Sequence, residues 1–197
     1  KWKTVTESQR ESSDTSAGSF PNLQSLTQSF QKGNDIDGEA ASDYSGYSVS
    51  LSSDGTIVAI GAHQNDGNGS SLAGHVRVYQ WRLFTSEDNV SEYNYEDRTR
   101  DTNNTNPIII TTYDSNDGEW QQPESGNYYW TQLGGDIDGE ATNDHSGWSV
   151  SLSSDGSIVA IGASGNDENG SYSGHVRVYQ WREYTQTDHD RIYSNRS

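Results

Sequence analysis

The sequence has no cysteine and no methionine among its 197 residues, and only 3 prolines. Without cysteine, neither a disulfide scaffold nor thiol chemistry is available, and composition carries no redox signal about compartment. Basic residues are scarce as well: 12 Lys and Arg stand against 29 Asp and Glu, for a net charge of -17. A surface this acidic repels phosphate backbones and anionic lipid headgroups, so nucleic acid and membrane insertion are disfavoured and cations or a basic partner are favoured. Long apolar runs are missing too. None approaches the roughly 20 residues that a membrane-spanning helix needs. The chain also lacks a nucleophile elbow, a P-loop, a zinc signature and a dinucleotide fingerprint, so no enzyme is expected.

What is present is aromatic. Hydrophobic residues make up only 29% of the chain, yet aromatics reach 11%, with 6 Trp and 12 Tyr. A mean hydropathy of -0.97 would by itself be compatible with disorder. The apolar residues cluster in short runs, however, which points to a thin, aromatic-rich core.

An internal duplication organises those runs. The stretch from Asp35 to Trp81 recurs from Asp136 to Trp181, with SVSLSSDG, IVAIGA and GHVRVYQW common to both copies. Within the first copy Val49 and Leu51 alternate with serines, the period of a half-buried strand. Ser53-Asp54-Gly55 supplies turn chemistry, because glycine takes a positive φ at no steric cost. Ile57 to Ile60 form a denser apolar run, suited to a central strand. A loop around Asn65-Asp66-Gly67 follows, and then Val76 and Val78 alternate with Arg77, Tyr79 and Trp81. Tyr129 to Leu133 offer one more short strand ahead of the second copy. Three or four antiparallel strands in roughly 45 residues is the size of a propeller blade. The fold class is therefore all-β.

The expected divisions are a polar N-terminal arm at 1–34, a first repeat at 35–84, an insert or degenerate blade at 85–127, a second repeat at 128–184 and a tail at 185–197. In the insert, Pro107 to Tyr113 read as a strand and Asn116-Asp117-Gly118 as a turn.

The string SGYSVSLSSDGTIVAIGA followed by a polar loop and GHVRVYQW resembles the FG-GAP repeat of secreted and surface β-propellers, of which integrin α-subunit heads carry distant relatives. The lead-in Trp130-Thr131-Gln132-Leu133-Gly134-Gly135-Asp136-Ile137-Asp138-Gly139-Glu140 resembles that of tandem-repeat surface proteins; its first copy has eroded to Ser29-Phe30-Gln31-Lys32-Gly33-Asn34-Asp35. The resemblance implies a propeller-type fold and a secreted or cell-surface location, and no reaction. Such propellers close with about seven blades, whereas two clear copies are present. The integrin-type calcium loop has no counterpart, since Ser53-Asp54-Gly55 and Ser154-Asp155-Gly156 are too short to wrap a cation.

Three sets of residues are candidate sites. The lead-in carboxylates Asp35, Asp37, Glu39 and Asp43, repeated as Asp136, Asp138, Glu140 and Asp144, alternate around Gly38 and Gly139 and offer oxygen ligands of the kind calcium takes; the alternative is a solvated acidic loop with Asp43 or Asp144 capping a turn. Sequons begin at Asn68, Asn89, Asn103, Asn169 and Asn195. The loops Asn65–Ser70 and Asn166–Ser171 read as turns before they read as ligands. His75 and His175 recur at equivalent strand starts, which suits a structural hydrogen-bonding role, while His145 replaces Tyr44, and His63 and His189 stand alone. The matched aromatics Tyr47 and Trp148, Tyr79 and Tyr179, and Trp81 and Trp181 are expected to fill space between blades. Function follows as an extracellular structural or adhesive protein whose blades pack on identical chains, up to a filament; the alternative is a carbohydrate-binding propeller module with glycans as ligands.

Overall fold

The computed structural model describes residues 3–5, 26–28, 31–88, 109–110, 113–114 and 119–182. The described strands are β1 (Lys3–Val5), β2 (Leu26–Gln28), β3 (Ser48–Leu51), β4 (Ile57–Ala62), β5 (His75–Leu83), β6 (Tyr113–Asp114), β7 (Glu119–Trp120), β8 (Tyr128–Gln132), β9 (Ile137–Asp138), β10 (Ser146–Leu152), β11 (Ile158–Ala163) and β12 (His175–Gln180). Among the described residues there is no α-helix. The chain divides into two units, 1–34 and 35–197. In the first, β1 and β2 pair antiparallel with Thr4 opposite Thr27.

The second unit holds two stacked antiparallel sheets. The first has the order β3-β4-β5-β8, with β9 added beside β5; the second has the order β10-β11-β12. Their hairpins are built alike. Val49 lies opposite Ile60 and Ala59 opposite Val78 in the first sheet; Val150 lies opposite Ile161 and Ala160 opposite Val178 in the second. The turns joining β3 to β4 and β10 to β11 are tied by their aspartates. Asp54 accepts from the Ser52 hydroxyl at 2.7 Å and Asp155 from the Ser153 hydroxyl at 2.6 Å. Bonds from Ser52 and Thr56 hold the Asp54 carboxyl down at about 2.

The fourth strand of the first sheet comes from beyond the insert. β8 runs beside β5 with Trp130 opposite Trp81, and Leu133 continues the ladder by donating its amide to the Val78 carbonyl at 2.7 Å. The second repeat, expected from residue 128, thus begins structurally only after its lead-in, which closes the first blade. From the insert, Ile109 bridges Thr131 and the Ile110 amide donates to the Trp130 carbonyl. Of the strand expected from Pro107 to Tyr113, Tyr113 falls in β6; apart from Ile109 and Ile110, its remaining residues, the turn at 116–118, His189 and the tail at 185–197 lie outside the described residues, as does most of the arm.

Side chains alternate across each strand, so each blade has two distinct faces. On one face of the first blade, Ala59, Val76 and Val78 meet Val159 and Ile161 of the second, with Val150, Leu152, Leu133, Tyr179 and Trp181 around them. On the other face, Ile60, Tyr79, Ile110 and Trp130 form a second cluster with Trp81 and Ile36. Burying one such aliphatic side chain stabilises by roughly 1.5–3 kcal/mol, so the blade-to-blade contact is a main apolar element of this unit. Glycines let the two backbones approach: a methyl group on Gly61 would fall well inside 3.0 Å of the Gly147 carbonyl oxygen. The Ser48 hydroxyl donates to that same carbonyl at 2.7 Å.

Candidate functional site

Each copy builds the same polar cluster where its lead-in loop meets the start of its third strand. In the first copy, β5 presents His75, Arg77 and Tyr79 on one face. Arg77 Nη2 donates to the Asp37 carbonyl at 2.6 Å, and Arg77 Nη1 lies 3.9 Å from Glu39 Oε1. Its guanidinium carbon sits 5.7 Å from the Tyr79 ring centroid, a cation–π distance. His75 Nδ1 lies 3.7 Å from Glu39 Oε2. In the second copy His175 Nδ1 is again 3.7 Å from Glu140 Oε2, Arg177 Nη1 is 3.5 Å from Glu140 Oε1, and Arg177 lies 5.7 Å over Tyr179.

The two clusters differ in their cover. Over the first, β8 and β9 bring Asp136, whose Oδ2 lies 3.8 Å from His75 Nδ1 and whose Oδ1 accepts from Gln132 Nε2 at 2.7 Å. The side chains of His75, Arg77 and Glu39 are left with 1%, 2% and 7% exposure. In the second copy the third carboxylate beside His175 and Glu140 is Glu168, which is exposed on a loop rather than held between strands. Glu140 is 52% exposed there, and the cluster opens into a cleft lined by Asp136, Asp138, Glu140, Arg177 and Tyr179.

The eight lead-in carboxylates are distributed among separate tasks. Asp43 accepts from the Ala40 amide and from Asn65 Nδ2, and Asp144 accepts likewise from the Ala141 amide and Asn166 Nδ2. These two are buried turn-capping residues. Glu39 and Asp136 face His75; Glu140 faces His175. Asp138 lies against Gly67, where an added methyl would meet its carboxylate. Asp35 and Asp37 are exposed. The carboxylates of one lead-in therefore do not converge on a point; those of two successive lead-ins meet at a histidine. Of the sequons, Asn169 sits on an exposed loop and Asn68 lies within the 3-10 turn Gly67–Gly69, whereas Asn89, Asn103 and Asn195 fall outside the described residues.

The matched aromatics are placed unequally. Tyr79 is fully buried, and burial, opposed by Arg77, pushes its hydroxyl up to about 12. Tyr179 and Trp181 pack at the blade junction, and Trp81 packs on the opposite face of the first blade. Tyr47 and Trp148 do not fill interior space. They stay 54% and 43% exposed, with ring centroids 5.2 Å apart, and form a surface ledge across both blades. His63 lies beneath that ledge at 3% exposure, 4.3 Å from the Tyr47 ring and 4.7 Å from Trp148. Burial and the neighbouring His145 lower its basicity below the ordinary histidine range. Nothing in its sequence neighbourhood marks His63, because its counterpart in the second copy is Ser164.

No curated protein and no solved structure matches the chain. The family model of the FG-GAP repeat matches at two places, residues 36–79 and 137–179. The first match ends on β5 and the second on β12, so each covers one lead-in and one three-stranded hairpin array of the fold described above. The repeat is of the β-propeller type and is typical of extracellular or surface proteins. The chain therefore carries two FG-GAP repeats, which form two stacked all-β blades.

Proposed function

We propose that this protein is a non-enzymatic extracellular structural or adhesive protein that assembles head to tail with identical chains through its blade faces. One observation carries this. Val76 and Val78 are buried at 0% and 1% exposure against the second blade, while their counterparts Val176 and Val178 stand 67% and 65% exposed. Conversely, Val150 and Leu152 pack into the junction while their counterparts Val49 and Leu51 are 62% and 58% exposed. The chain thus exposes both halves of a contact that it already makes once internally. A second copy presenting Val49 and Leu51 to Val176 and Val178 repeats that contact, and contacts of this heterologous kind propagate into a filament unless the rotation closes a ring. Repeat units bury their faces only by such stacking.

The test is solution mass by light scattering across a concentration series. The native chain is expected to exceed 21.7 kDa increasingly as concentration rises. Val178→Asp and Leu51→Asp should each return it to a monomer, because each places a charge in the new contact without touching the internal one. A native chain that stays monomeric throughout refutes the assembly.

The exposed pair Tyr47 and Trp148 favours a second function, carbohydrate binding, since flat aromatic ledges offer stacking surfaces. A glycan array with the native chain and with Trp148→Ala tests it; no signal, or an equal signal from both, removes it.

A further inference from the structure

We propose that Glu39, His75 and Asp136 form a binding site for a zinc-class divalent metal ion at the junction of the two blades. The three residues come from three elements: the first lead-in, the start of β5 and the second lead-in. One ligand atom from each lies within 4.8 Å of the others. His75 Nδ1 is 3.7 Å from Glu39 Oε2 and 3.8 Å from Asp136 Oδ2. Those separations are too long for hydrogen bonds, which run to about 3.2 Å. They lie within a few tenths of an ångström of the roughly 3.4 Å that separates ligands on a tetrahedral ion with bonds of about 2.1 Å.

The surroundings are those of a ligand set. Both carboxylates have outer partners: Glu39 pairs with Arg77 at 3.9 Å through Oε1 and accepts from Asn65 Nδ2 at 3.4 Å on Oε2, and Asp136 Oδ1 accepts from Gln132 at 2.7 Å. Outer partners of this kind orient metal-binding carboxylates. Tyr79 lies on the His75 face of β5 at 0% exposure, and its hydroxyl has no hydrogen-bond partner among the described residues. The carboxylates of Asp136 and Glu39 both act on it electrostatically. Three protein ligands leave one position of a four-coordinate ion for water.

The donor set decides the class of ion. Calcium takes six to eight oxygens, whereas one imidazole with two monodentate carboxylates suits zinc and its neighbours. Because Asp136 belongs to the second lead-in, an ion held there ties the two repeats together.

The experiment uses the whole chain after chelator treatment, titrated with Zn²⁺ by calorimetry and with Co²⁺ by visible absorption. The native protein is expected to take up one tightly bound ion, to show the absorption bands of four-coordinate cobalt, and to unfold at a higher temperature with zinc. His75→Gln and Asp136→Asn should weaken binding at least 100-fold. Gln132→Ala, which keeps all three ligands, should weaken it about 10-fold. His175→Gln, the same change in the other copy, should leave the tight site intact. Near-UV circular dichroism checks that the variants fold, and Gln132→Ala keeps the test decisive if His75→Gln does not. The site is overturned if native protein binds no zinc more tightly than His75→Gln does, if His175→Gln abolishes the tight binding, or if equimolar calcium displaces the cobalt.

Discussion

Placing a methyl group at two equivalent glycines separates the internal blade contact from everything else in the fold. Gly61 on β4 and Gly162 on β11 occupy the same position in the two repeats. A methyl on Gly61 would fall inside 3.0 Å of the Gly147 carbonyl oxygen, which is backbone of the facing blade, as well as of the Ser48 hydroxyl. A methyl on Gly162 would meet within that distance only the Ser149 hydroxyl, the movable end of a short side chain. Inserting a carbon into a tight contact costs about 1–3 kcal/mol when backbone must shift, so Gly61→Ala is expected at the upper end, near 3 kcal/mol. Gly162→Ala should cost under about 1 kcal/mol, since a rotamer change of the hydroxyl relieves it. In a domain of this size 1 kcal/mol moves the thermal midpoint by roughly 2–4 °C. Gly61→Ala should therefore unfold about 6–12 °C lower, and Gly162→Ala no more than about 4 °C lower. Thermal melts followed by circular dichroism at low protein concentration measure both. Equal losses in the two variants, or none in Gly61→Ala, would refute the close approach of the blades. Light scattering of Gly162→Ala at high concentration extends the test, because in a head-to-tail stack its methyl meets a neighbour's Gly46, the counterpart of Gly147, and should block assembly.

Two further outcomes follow from the same asymmetry and from the histidine under the aromatic ledge. Val76→Ala should destabilise by about 1–2 kcal/mol and Val176→Ala by less than 0.5 kcal/mol in the monomer, as chemical denaturation would show, because only the first is buried. His63 has its basicity lowered by burial and by His145, so its neutral form is the one the fold favours. Stability from this group is full above about pH 6.5 and is lost as pH falls from there toward its lowered folded value. Denaturation midpoints of native and His63→Gln protein should converge below pH 6; a native chain that gains stability relative to His63→Gln on acidification would contradict it.

Much of this was legible in the sequence. The strands at 48–51, 57–62 and 75–83 follow from alternation and from the Ser-Asp-Gly turns, and the duplication placed their counterparts. Asp43 and Asp144 were open between calcium ligation and turn capping; the structure shows them capping, each held by an amide three residues back and an asparagine across the loop. Other features need the third dimension. That Glu39 and Asp136, 97 positions apart, flank one histidine depends on which strand β8 joins, and short local patterns carry no information about sheet neighbours. The exposure of Tyr47 and Trp148 was not readable from their matched spacing, because repetition fixes equivalent positions without saying which of them has a neighbour to cover it. His63 was silent for a related reason: its environment is made by the second blade.

The lead-in that closes the preceding blade puts the unit of sequence out of phase with the unit of structure, and this offset bears on how such chains lengthen. A tandem duplication that copies one whole sequence unit inserts, at the same stroke, a three-stranded array and the strand that finishes the array before it. Every interior blade is completed by inheritance, with no new pairing edge to be invented. However many units are added, the number of unfinished ends stays constant. Length can then drift in the gene without changing the colloidal behaviour of the product, since the surface that invites association does not grow with the array.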